Sequence, residues 1–223
     1  MADEALLDDR RQAVLEAAAR YARETLENDA SGHDWWHIYR VDRLAETIAN
    51  AEGADVFVCR LAALLHDIAD EKLCGDEAEG LRAVRRWLDA HRVDAASADH
   101  VIGIISSMSF KGGGRPPMRT LEGRVVQDAD RLDAIGAVGI ARVFAYTGAK
   151  GRPIHVPGIE ARERMTKDEY RSTGGTAINH FYEKLLKLKD LMNTDYAKRL
   201  AEGRHRQLEQ YLACFYEEWE GIR

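Results

Sequence analysis

Cysteine, proline and long apolar runs are all scarce in this chain, and each scarcity excludes something. Its 223 residues contain three cysteines, Cys59, Cys74 and Cys214, none in a CxxC spacing. An odd, scattered set excludes a disulfide scaffold or a cysteine-based zinc finger and fits a reducing cytoplasm. No apolar stretch approaches the ~18–20 residues that span a bilayer. The opening MADEALLDDR is acidic where a signal peptide would be basic and then apolar. Positive charge is also short: 32 Lys and Arg against 38 Asp and Glu leave a net charge of −6. A field of that sign argues against long nucleic acid as a partner. Only four prolines occur, all between positions 116 and 157, so the flanking stretches carry no helix breaker of that kind.

What is present describes a folded domain. With 45% hydrophobic and 31% charged residues the chain can bury a core, and its length suits one domain. Neither strand-like alternation nor paired hairpin turns occur, so the expected class is all-α. Helices are expected over about 3–27, 34–51, 55–70, 76–91, 97–108, 122–146, 176–192 and 195–219. The second has Trp36, Ile38, Val41, Leu44, Ala45 and Ile48 as its apolar side, with Gly53 beyond its end. The third, VFVCRLAALLHDIAD after the cap Asp55, is apolar almost all round and should be the central buried helix. Ser97 is the expected cap of the fifth. Between Phe110 and the sixth helix lies KGGGRPPMRTLEG, rich in glycine and basic residues, and 147–175 is a long irregular stretch.

Titratable groups fall on the apolar helices. His66 and Asp67 adjoin near the end of the buried third helix, and Asp70 lies about 40° round from His66. A carboxylate removed from water must be ion-paired, hydrogen-bonded or bound to a metal. His37 sits on the inward stripe of the second helix, and Gln127-Asp128-Ala129-Asp130-Arg131-Leu132-Asp133 puts three carboxylates within two turns of the sixth. Two imidazoles and two carboxylates from three helices suit a divalent cation. The residues alone leave ordinary buried pairs open, and periodicity does not choose between Asp128 and Asp130.

The order H…HD…D, with HIYRV at His37 to Val41 and ADRLDA at Ala129 to Ala134, resembles the HD-domain phosphohydrolase superfamily. GHDWWHIYRV, ISSMSFKGG, VVQDADRLDAIGAVGIAR and NHFYEKLLKLKDLMNT narrow the resemblance to a bacterial subgroup of HD hydrolases. It implies an all-α HD helical bundle with a C-terminal helical extension: one domain over 1–223, its metal-binding core at about 30–146 and its later loop and helices at about 147–223. It also implies one divalent ion held by His37, His66, Asp67 and Asp130, manganese first, with magnesium, cobalt, nickel or zinc as alternatives. Asp70 stands where relatives carry a catalytic carboxylate.

The implied activity is hydrolysis of nucleotides, in particular of a nucleoside triphosphate to the monophosphate and pyrophosphate. A nucleotidase, a phosphodiesterase on small nucleotides and a non-catalytic nucleotide or metal sensor are the alternatives. Phosphoryl chemistry needs cations around the substrate. Lys111, in its glycine run, is a candidate for catalysis and substrate binding, and Arg115 for substrate binding. Lys184 and Lys187 join them, on one face of the expected penultimate helix with His180. Trp35 and Trp36 are expected to be buried, and Cys59 to be an inert buried thiol. The partner is then a small nucleotide, with no membrane and the oligomeric state, a homodimer included, left open.

Overall fold

The computed structural model describes residues 2–27, 34–69, 76–108, 118–162 and 175–222. Among them the protein is all-α, with no strand. The helices are α1 (Ala2–Leu26), α2 (Trp35–Glu52), α3 (Val56–Leu65), α4 (Glu77–Ala90), α5 (Ala95–Met108), α6 (Leu121–Asp133), α7 (Gly136–Ala149), α8 (Ala177–Glu183) and α9 (Asp195–Trp219). No single helix in the described residues is long and apolar enough to cross a membrane.

Helix α3 is central because nearly every side is apolar. Asp55 caps its start through Val58 N at 3.1 Å, and Phe57 to Leu65 are buried except for Arg60. Arg60 reaches Asp42 at 2.9 and 3.0 Å and Glu46 at 3.0 Å. Around α3 pack α1, α2, α5 and α6, in one apolar core that runs from Val14 to Leu212. Gly80 of α4 lies against the turn after α3, where a Cβ would stand 2.7 Å from Ala69 Cα.

Four expectations about the helices need correction. The helix expected to run to Asp70 ends as an α-helix at Leu65 and tightens into a 3₁₀ turn, His66–Ala69. Helix α5 begins before Ser97, whose amide instead donates to Asp94 Oδ1 at 3.0 Å. The helix expected over 122–146 is two helices, α6 and α7, bent by 65°. Ile135 is extended and Gly136 has φ +78, a conformation that favours glycine. A Cβ on Gly139 would stand 2.3 Å from Ala134 O, so only a bare Cα lets the new helix start so close.

The helix expected over 176–192 is α8 and two 3₁₀ turns, Leu185–Lys187 and Lys189–Leu191. Lys184 leaves the helix at φ −135, ψ −59. The tighter winding sets Leu185 and Leu188, three apart, against the core. Lys184 and Lys187 therefore do not share a face of one helix with His180.

Trp36 also departs from expectation, at 59% exposed. The stripe that α2 buries is Ile38, Val41, Ala45 and Ile48, spaced by three and four, and Trp36 falls off it. Trp35 is partly buried against the core.

Candidate metal centre

Three elements bring the donors together. His37 comes from the first turn of α2, which Asp34 caps by accepting its amide at 2.9 Å. His66 and Asp67 come from the 3₁₀ turn that follows α3, and Asp130 from a half-exposed position on α6. His37 and Asp67 are buried, whereas the Asp130 side chain is 41% exposed and marks where the cluster opens.

His37 Nε2 lies 3.5 Å from Asp67 Oδ2 and 3.4 Å from Asp130 Oδ1, and His66 Nε2 lies 3.2 Å from Asp67 Oδ1. The two imidazoles meet edge to face with centroids 5.4 Å apart. One ligand atom from each of His37, His66 and Asp67 fits within 4.8 Å of the others, close enough to share an ion.

The other ring nitrogens fix the tautomers. His66 Nδ1 lies 2.7 Å from Ala63 O, a carbonyl that can only accept, so Nδ1 carries the proton. His37 Nδ1 lies 2.8 Å from Asp133 Oδ2. Asp133 is ionised: burial pushes its carboxyl up, but hydrogen bonds from His37 and Arg40 and the charge of Arg142 hold it well below the ordinary range. The Nε2 atoms of both imidazoles thus face carboxylate oxygens. Where those nitrogens are unprotonated, acceptor faces acceptor, and a cation among them removes the repulsion. The donor set of two nitrogens and carboxylate oxygens fits a divalent ion.

Asp133, one of the three carboxylates that the sequence sets on α6, is the partner of His37 Nδ1. Arg40 grips it through Nε at 2.6 Å and Nη2 at 3.1 Å, and Arg142 of α7 adds Nη1 at 2.6 Å. Arg40 is three residues beyond His37, on the same side of α2, a spacing the sequence did offer. Arg142 had no such signal, because it reaches Asp133 only through the bend between α6 and α7.

The third carboxylate does something else. Asp128, fully buried, accepts from Asn193 N (2.9 Å), Asn193 Nδ2 (2.8 Å), Thr194 N (2.7 Å) and Thr194 Oγ1 (2.9 Å). It therefore pins the start of α9.

Asp70, Lys111 and Arg115 lie outside the described residues. Lys184 is half-buried past the end of α8, and Lys187 is exposed. His91 Nδ1 lies 2.8 Å from Trp87 O with its ring stacked on the indole, and His100 Nε2 lies 2.9 Å from Thr120 Oγ1. Cys59 is buried, and burial, then Glu122, push its thiol far above the ordinary range.

The HD-domain sequence profile matches residues 35–135, from the first residue of α2 to just past α6. YpgQ of Bacillus subtilis is 42% identical over 204 residues, covering 91% of this chain and 92% of that protein.

The chain belongs to the HD-domain family.

Solved structures of relatives agree over nearly the whole length. A Lactobacillus plantarum protein superposes with a TM-score of 0.81 at 45% identity, covering 93% of this chain and 97% of that one. An HD-superfamily hydrolase from Bacillus thuringiensis gives 0.76 at 45% identity, covering 95% and 99%. YpgQ crystallised in complex with ADP gives 0.74 at 39% identity, covering 94% and 100%. The present chain is accordingly an HD-superfamily hydrolase, by class a metal-dependent phosphohydrolase.

Proposed function

We propose that this HD hydrolase cleaves nucleotides, with a nucleoside triphosphate as substrate and the monophosphate and pyrophosphate as products. One observation carries the reading: the His37 and His66 Nε2 atoms converge on Asp67, with Asp130 at the open side. The binding of ADP by YpgQ supports a small nucleotide as the ligand class.

In this reading His37, His66, Asp67 and Asp130 hold one divalent ion, manganese first. When bound, such an ion supplies a water of lowered pKa and polarises a phosphoryl oxygen. Asp133 keeps His37 in its Nδ1-protonated form and fixes the ring plane. Asp70 accepts the proton of the attacking water and passes it on. The water oxygen adds to the α-phosphorus as the bridging bond to the β-phosphate breaks, and pyrophosphate leaves. Lys111, Arg115, Lys184 and Lys187 neutralise the phosphate tail as charge moves onto the leaving group.

The test is a nucleotide panel with Mn²⁺, scoring orthophosphate and pyrophosphate separately. Pyrophosphate and monophosphate in equal amounts are the expected result. Orthophosphate from monophosphates, with triphosphates untouched, would replace this reading with a nucleotidase.

A further inference from the structure

Between α1, the first turn of α3 and the turn joining α4 to α5 lies a cavity of about 310 Å³, the lower end of the size range of small-molecule sites. Leu7, Val14 and Phe57 give it an apolar wall, and Arg10, Arg11 and Arg92 bring three guanidinium groups to it. Among the described residues Asp94 is the one carboxylate on its lining. Phe57 stands at the opposite end of α3 from His66, so the cavity lies about 14 Å along that helix from the metal centre.

Specific contacts place the arginines. Arg10 Nη2 donates to Arg92 O at 2.7 Å, which ties α1 to the turn and uses one of five N–H groups. The Arg11 guanidinium carbon lies 5.1 Å from the Phe57 ring centroid. Asp94 Oδ1 accepts from Ser97 N at 3.0 Å, and Arg11 is the cation that acts on its carboxylate. Arg11 also borders a neighbouring hollow lined by Asp8 and Asp55. Arg10 and Arg92 have no such counterpart: among the described residues neither forms an ion pair with a carboxylate. Arg92 is unusual in its backbone as well, at φ +54. It follows α4, where Arg92 N donates to Asp89 O and Val93 N to Leu88 O as the helix ends. Glycine suits that place, because a Cβ there crowds the following carbonyl. A long cationic side chain is thus held at the cavity against the local preference of the chain.

We propose that this cavity binds an organic phosphate, with the phosphate between Arg10 and Arg92 and the apolar or planar body against Leu7 and Val14. A phosphomonoester carries nearly two negative charges at neutral pH, which matches the two arginines, whereas a carboxylate carries one. Guanidinium forks bond phosphate oxygens in pairs. The apolar wall gives the rest of the ligand a surface that a bare inorganic ion would leave to water. The site is separate from the metal centre and stands whether or not the protein hydrolyses nucleotides.

The test is calorimetric titration with phenyl phosphate, AMP and inorganic phosphate, each with a chelator present so that neither metal nor turnover contributes. The wild-type protein should bind phenyl phosphate, about tenfold or more tightly than inorganic phosphate. Arg92→Gly removes the charge and relieves the backbone at once, so it should fold, melt close to the wild type and bind phenyl phosphate about tenfold or more weakly. Arg10→Gln should weaken binding to a similar degree. Leu7→Ala should weaken phenyl phosphate and leave inorganic phosphate unchanged. Arg206→Ala, at an exposed arginine on α9, controls for bulk charge and should change little. AMP binding that Arg92→Gly weakens would mark a nucleotide as the ligand, and AMP binding that it leaves alone would mark another organic phosphate; both uphold the site. No binding of phenyl phosphate by the wild type, inorganic phosphate bound as tightly, or equal affinity for Arg92→Gly and Arg206→Ala would overturn it.

Discussion

Asp133 Oδ2 lies 2.8 Å from His37 Nδ1, behind the ring whose Nε2 faces Asp67 and Asp130. The carboxylate sets both the tautomer and the basicity of a proposed ligand without touching the ion. Asp133→Asn should therefore weaken metal binding by about 10–100-fold while leaving stoichiometry at saturation unchanged. The same residue should shape acid stability. Its carboxyl is depressed in the folded state, so its contribution is complete above the unfolded carboxylate value of about 4 and is lost as pH falls below it. Urea melts of metal-free protein at pH 5 and pH 3 should differ less for Asp133→Asn than for the wild type.

His66→Ala and Asp67→Ala should each lose bound divalent metal and activity, because each removes a donor from a set that leaves few alternatives. Full metal occupancy in both variants, by elemental analysis, would refute the assignment. Chelation of the wild-type protein should lower its Tm, since an ion held only by the folded state adds its binding free energy to stability.

Asp130→Asn and Asp128→Asn, two residues apart, should behave oppositely. The first should lose metal with little change in the apo-protein's melting. The second should keep metal and lose roughly 1–3 kcal/mol of stability, because it weakens a buried acceptor of the Asn193 and Thr194 donors.

Asp70→Asn should lower kcat by roughly 10²–10⁴-fold while metal is retained, the mark of a proton-transfer group. Lys111→Ala should raise KM more than it lowers kcat if it holds ground and transition state alike. Steady-state kinetics beside metal analysis separate the two.

Gly136→Ala should destabilise the protein by about 1–2 kcal/mol or more, read from the urea midpoint. Its φ of +78 is strained for any side chain. A Cβ would also stand 2.9 Å from Arg204 Cγ and 3.1 Å from Gln207 Oε1.

The sequence was most legible where composition and period agree. The apolar run from Phe57 to Leu65 marks the central helix, and His66 and Asp67, in the turn directly after it, meet His37 on the inward stripe of α2. It was least legible where a tertiary contact overrides local preference. The alanine- and glycine-rich stretch after Leu121 reads as one helix, and only the approach of Gly139 to Ala134 and of Gly136 to α9 shows why it must bend. Trp36 reads as apolar and therefore inward, yet its angular position on α2 leaves it exposed. Asp128, Asp130 and Asp133 look alike on one helix. What divides them is the partner each meets from elsewhere: Thr194, His37, and the Arg40–Arg142 pair.

That division makes α6 a junction between distant parts of the chain. Asp128 holds Thr194, 66 positions later in the chain, while five residues on Asp133 holds α2. A chain that ended before Asn193 would keep every proposed metal donor and strand a carboxylate in the core with its four donor groups gone. Every proposed donor to the ion thus precedes, in the order of synthesis, the residues that satisfy Asp128. The hydrogen bonds that satisfy Asp128 form only when residues from the far end of the chain are in place.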